Sequence, residues 1–376
     1  MFLLGTFDTT AYELKGGAYQ VYPGDELQEI LDLAATNSGP KLIKVHDGVY
    51  AASAPRQAFI FLNRRHDGIH LEGVGRPTLT AANPLLGSRS HPSFPAVVNH
   101  VIYLGDGLSS NTVIEHFRLT GANHFVTNAA QNAMEPDQQL RKGRFYFGDG
   151  GAIKIYHRSS PVLRDLEIVD NYSSPCAGGI SIQHEGATNG TVLIEGCVFR
   201  NNRAEVTGAA LDLLWGSSAR VVNCLFVGNV SNTGPGEGYN PFTNNGVVTV
   251  FPGSKLVMER TTLAGNRNGV DDMSGSTEYI QCAFLKNELE AGLPGQTRFE
   301  LDLERGSKVN QCAITGRIID PLRVVNPTNN FLNLPNLELS PDGSLVSPLF
   351  AVDHVGCRLK TSLLSKDDRS FTAPFR

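Results

Sequence analysis

One hydrophobic pattern recurs along the chain. The stretches "GAIKIYHRSSPVLRDLEIVDN" (151–171), "GGISIQHEGATNGTVLIEGCVFRNN" (178–202), "GAALDLLWGSSARVVNCLFVGN" (208–229), "GVVTVFPGSKLVMERTTLAGN" (246–266), "GVDDMSGSTEYIQCAFLKN" (269–287) and "FELDLERGSKVNQCAITGR" (299–317) share it. Each reads as a short alternating strand, a tight turn often containing Gly-Ser, a second strand and then, in most copies, an asparagine. An earlier copy is "VIYLGDGLSSNTVIEHFRLTGAN" (101–123). A unit of about 20 residues, two or three short strands, cannot bury its own apolar positions, so the pattern predicts units that stack into a solenoid around a shared core. Upstream, Leu27, Ile30, Leu31 and Ala34 recur at helical spacing and predict one amphipathic helix.

Stacking places equivalent positions in columns about 4.8 Å apart. Alternation in each first strand assigns Ile153/Ile155, Ile180/Ile182, Leu211/Leu213, Val248/Val250 and Leu301/Leu303 to the interior. The intervening column, Tyr103, Lys154, Ser181, Asp212, Thr249, Asp271 and Asp302, is expected to face solvent. The next outward column runs Gly105, Tyr156, Gln183, Leu214, Phe251, Met273 and Glu304, with His157, His184 and Trp215 at the strand ends. Cys197, Cys224, Cys282 and Cys312 share a column and read as stacked small hydrophobes; a Cys197–Cys224 disulfide is conceivable between adjacent rungs but is not required. Asn171, Asn202, Asn229, Asn266 and Asn287 share another, where side-chain amides can cap backbone at a bend and bond their copies above and below.

Composition agrees with a turn-rich β protein. Of 376 residues, 41% are hydrophobic, and 39 Gly with 20 Pro exclude a chain made mainly of long helices. The formal charge of −5 comes from 32 basic and 37 acidic residues mixed along the chain, which offers no broad basic face to nucleic acid. No apolar run is long enough to span a membrane as a helix. The opening "MFLLGTFDTTAYELKGG" has no basic region and no small-residue cleavage site, so as it stands it is not a signal peptide. The six cysteines lack the paired short spacings of a zinc site, and no metal is assigned.

Insertions in a stacked repeat gather on one face. The insertion 124–150 carries Arg141, Lys142 and Arg144, and 230–245 carries Tyr239. With Lys154, His157, Arg158, His184, Asp212, Trp215 and Asp271 below them, these loops would wall a groove suited to a chain of sugars, aromatics stacking on rings and charged groups doing chemistry. Asp212 and Asp271, two rungs and about 10 Å of backbone apart, are compatible with the carboxyl separation of an inverting glycosidase.

The repeats, the opening helix in "YPGDELQEILDLAATNSGPKLIKVHDGVY" (22–50) and the tail "SPDGSLVSPLFAVDHVGCRLKTS" (340–362) together resemble the right-handed parallel β-helix proteins of the pectate-lyase-like superfamily. The resemblance implies a single all-β domain over 1–376, a single-stranded solenoid with an N-terminal cap at 20–50, coils at 51–317 with insertions at 124–150 and 230–245, and an irregular C-terminal segment at 318–376. It implies a carbohydrate-active enzyme, either a polysaccharide lyase or a glycoside hydrolase, and favours an extracellular or periplasmic setting. As a lyase, Lys154 or His184 would supply the base, with His157 beside them in the catalytic site, and Arg144 and Arg158 would bind the uronate; as an inverting hydrolase, Asp212 and Asp271 would be acid and base. Tyr156, Trp215 and Tyr239 would bind substrate. "GVDDMSG" also resembles the paired-aspartate motif of the polygalacturonase family, without that family's Gly-His-Gly and Arg-Ile-Lys motifs in the following coils. No cofactor is implied; calcium at Asp212 and Asp271 is compatible with the fold but carried by no motif. The alternative is a non-catalytic carbohydrate-binding or surface-adhesive protein, and the oligomeric state is open.

Overall fold

The computed structural model describes residues 13–105, 107–126, 147–234, 245–289, 298–334, 337–340, 344–346 and 354–359. The chain is all-β with long parallel sheets and, among the described residues, one α-helix, Leu27–Thr36, and one short 3₁₀ turn. Three sheets of eleven, ten and nine strands, here I, II and III, dominate. From Leu42–His46 in sheet I, Val49–Ala51 in sheet II and Arg56–Leu62 in sheet III, the chain visits the sheets in that order coil after coil, as far as Lys308–Asn310, Ala313–Ile314 and Ile318–Ile319. Strands pair in parallel with their counterparts one coil earlier and one later, so each interior unit offers both edges of its backbone to its neighbours.

The register of sheet III follows the column inferred from the alternation. Tyr103, Lys154, Ser181, Asp212, Thr249, Asp271 and Asp302 stand side by side on successive strands. The residues assigned inward, Ile153 through Leu303, all lie in the main core with Phe199 and Phe226, whose rings stack at 4.3 Å. Helix Leu27–Thr36 buries the expected four residues, Leu27, Ile30, Leu31 and Ala34, in the same core.

Both predicted ladders are present. Asn171, Asn202, Asn229 and Asn266 each donate from Nδ2 to Oδ1 of the next asparagine at 2.8–3.1 Å, and Asn287 ends the row by donating to the carboxylate of Glu300. Each amide also caps a strand carbonyl, as Asn229 does at Phe199. The cysteine column is buried and every thiol in it is free. Thr261 fills the rung between Cys224 and Cys282: its hydroxyl accepts from Cys224 N–H, and its carbonyl accepts from Ala283 N–H.

Candidate functional site

The outward column differs from expectation in its surroundings. Tyr103, Lys154, Ser181, Asp212 and Thr249 are fully buried, and only Asp271 and Asp302 remain partly exposed. The reason is a second layer on the outer side of sheet III. Phe147 and Tyr156 pack with Tyr103 in a small apolar cluster, Gly208 lies against Asp212, and Thr207 hydrogen-bonds Thr249. Gly208 has φ +61°, and a Cβ there would stand 2.6 Å from Asp212 Cβ, so the covering segment approaches as closely as it does because this residue is glycine.

Under this layer lies a polar cluster. Lys154 Nζ donates to Ser181 Oγ at 2.9 Å, and Cys176 N–H donates to Asp149 Oδ1 at 2.9 Å. One oxygen each of Asp149 and Asp212 and the Cys176 sulfur lie within 4.8 Å of one another, all three residues buried. Burial, and then the Asp149 carboxylate, push Asp212 well above the usual carboxylate range, with Lys154 opposing. Asp149 is raised by burial to about 6, and burial lowers Lys154.

Asp271 sits where this column meets solvent. Burial first, then the carboxylates of Asp302 and Asp272, raise it to about 8, so it is a neutral acid at pH 7. Met273 is two residues on and therefore on the same face, and Phe251 precedes it by one rung. Phe251 meets Trp215 edge to face with centroids 5.4 Å apart, and Trp215 is 48% exposed. An acid held protonated, a second carboxyl on the adjacent strand and an open aromatic and thioether strip thus share one surface.

The remaining candidates fall into different places. His184 is fully buried; Nε2–H donates to the Ser159 carbonyl at 2.8 Å, and Nδ1 accepts from Ser218 N–H, which commits both ring nitrogens to turn backbone. His157 is partly exposed in the turn after Tyr156, its ring stacked on Tyr156 with centroids 5.6 Å apart, and Arg158 beside it is exposed. Tyr156 is 8% exposed. Arg141, Lys142, Arg144 and Tyr239 lie outside the described residues. Asp272 is directed inward opposite Val250, and its carboxylate accepts from Ser274 and Thr277 of the following turn, so it is not paired with Asp271 on the outer face. Cys176, and the partnership of Asp149 with Asp212, escaped the sequence reading because residues 149, 176 and 212 share no repeat position; only the fold brings them together.

No family model matches the chain, and no curated protein and no solved structure matches it either. No helix among the described residues is long and apolar enough to cross a membrane.

Proposed function

We propose that the protein is a glycoside hydrolase built on a right-handed parallel β-helix, with Asp271 as the general acid and Asp302 as its partner carboxyl. Support for the β-helix comes from the unvarying order in which the chain visits three parallel sheets, and helix Leu27–Thr36, packed on the first coils, would be its cap. The observation that carries the activity is the position of Asp271: partly exposed, kept protonated near neutrality, one rung from Asp302 and beside the Trp215–Phe251–Met273 strip. A proton donor to a leaving glycosidic oxygen needs a raised pKa, and its partner must stay close. One rung, about 4.8 Å of backbone, is nearer the ~5–5.5 Å carboxyl spacing of retaining enzymes than the two-rung separation of Asp212 and Asp271. Asp302 would then attack the anomeric carbon as Asp271 protonates the leaving group, and Asp271 would next deprotonate the water that releases the sugar.

Elimination has weaker support, since Lys154 and His184 are enclosed and His184 has both nitrogens bonded to backbone. The test is a panel of uronic and neutral polysaccharides, followed by a reducing-end assay and by the ultraviolet absorbance of the unsaturated elimination product. Reducing ends without that absorbance, lost in Asp271→Asn, are expected; absorbance rising with reducing ends would transfer the assignment to a lyase. The exposed Trp215 favours a second reading, a binding protein without catalysis, which gains the field if the chain binds a glycan and leaves it intact.

A further inference from the structure

The enclosed cluster under the covering layer contains a carboxylate with nothing to bond. Both oxygens of Asp212 are buried and make no hydrogen bond among the described residues, and Asp149 Oδ2 is in the same condition. Neither protonation state satisfies Asp212: ionised, it lacks donors, and protonated, its hydroxyl has no acceptor. Leaving such a group unsatisfied is expensive enough that a native fold seldom tolerates it without an occupant. The Asp149, Cys176 and Asp212 side chains converge with their donor atoms within 4.8 Å of one another, a spread that slight closure brings to the edges of a metal polyhedron. We propose that Asp149, Cys176 and Asp212 form a buried binding site for one divalent cation of the zinc class.

Charge and donor type select the ion. Bound to a metal, two carboxylates and a thiolate would carry −3, against which a divalent cation sets +2, with the Lys154 amine in the same buried cluster. A thiolate among the ligands disfavours calcium and magnesium, which take oxygen donors, and favours zinc or a similar borderline metal. The support around the donors is in place. Cys176 N–H holds Asp149 through Oδ1 and leaves Oδ2 bare, while a side chain at Gly208 would come within 2.9 Å of Asp212 Oδ1, so glycine there keeps the carboxylate's place clear. Three protein donors leave a fourth position for a water. Nothing in this assignment depends on Asp271 or on glycan cleavage.

The test uses the full chain, stripped with a chelator and titrated with Co²⁺ and with Zn²⁺. One equivalent should bind, and Co²⁺ should develop a near-ultraviolet thiolate-to-metal charge-transfer band. Cys176→Ser should lose the band, and Asp212→Asn should weaken Zn²⁺ binding by more than the roughly 100-fold that loss of an outer-shell partner can cost. Zinc-edge X-ray absorption on the wild-type protein needs no variant and should report one sulfur at about 2.3 Å with oxygens at about 2.0–2.2 Å. The proposal is overturned by wild-type protein that takes up no stoichiometric metal, by a shell with no sulfur or with several, or by a cobalt band that survives in folded Cys176→Ser. Should either variant fail to fold, the wild-type absorption edge decides.

Discussion

Asp271 and Asp302 occupy the same position on adjacent parallel strands of sheet III, so two carboxyl groups on one outward column face each other across a single rung. Burial and this neighbour hold Asp271 at about 8. Asp271→Asn should lower kcat at least about 100-fold, at the low end of what a general acid contributes. The wild-type rate should fall as pH rises through about 8, because the acid loses its proton there, and a rate flat from pH 6 to 9 would refute that role for Asp271.

The same shift makes a stability prediction of defined sign. The folded state holds the Asp271 proton more tightly than the unfolded chain, whose aspartates titrate near 3.9. Its stabilising contribution is therefore complete below the unfolded value, declines as pH rises and is gone above about 8. Asparagine cannot ionise, so thermal melts of Asp271→Asn and wild type should converge at acid pH and separate in the variant's favour toward pH 9.

Trp215 is the chain's one tryptophan, which makes its fluorescence a reporter for the exposed strip it forms with Phe251 and Met273. Binding of a glycan should shift or quench that emission. Trp215→Ala should raise KM several-fold while changing kcat little, since stacking contributes alike to substrate and transition state. Being 48% exposed, the residue should cost the fold less than about 1 kcal/mol when truncated, measurable as an unchanged urea midpoint.

Asn229 stands mid-ladder, accepting from Asn202 and donating to Asn266 and to the Phe199 carbonyl, fully buried. Asn229→Ala strips partners from all three. A cost of about 2–4 kcal/mol in urea unfolding is expected, several net hydrogen bonds plus groups left buried and unpaired. Asn201, one column away, is exposed and its side chain donates to Asp170; its φ of +54° suits asparagine better than alanine, so Asn201→Ala should cost about 1 kcal/mol, less than the ladder residue. Equal losses at the two positions would mean that the ladder contributes nothing beyond its surroundings.

Alternation made the stacking legible, because a period of two fixes which side chains share a face and repetition fixes which share a column; Lys154, Ser181, Asp212, Thr249, Asp271 and Asp302 fell into register on that basis alone. Alternation carries no information about what lies over a face. Lys154 and Asp212 therefore read as solvated residues, and the segments around Phe147, Cys176 and Gly208 that enclose them belong to connections with no period to follow. His184 looked available for chemistry for the same reason: nothing in its own strand announces Ser159 and Ser218. The end of the asparagine ladder was equally hidden, since Glu300 precedes an apolar strand residue and matches no asparagine in the repeat.

Glu300 gives that ladder its pH sensitivity. It is buried, accepts from Asn287 N–H and Nδ2, and packs against Gly316, where a Cβ would come within 2.5 Å of its carboxyl oxygen. Burial raises it to about 7, although the Asn287 donors favour the ionised form, so desolvation prevails over hydrogen bonding. A group raised on folding stabilises below its unfolded pKa, and that contribution is lost as pH climbs through the folded value. The carboxyl should therefore withdraw stability between about pH 4.5 and 7. Glu300→Gln keeps an acceptor for one Asn287 donor and removes the titration. Its urea midpoint, relative to wild type, should be lower or equal near pH 5 and should gain steadily up to about pH 7.5. A difference between the two proteins that stays constant over that window would place the Glu300 proton outside the folding equilibrium and leave burial without its expected effect.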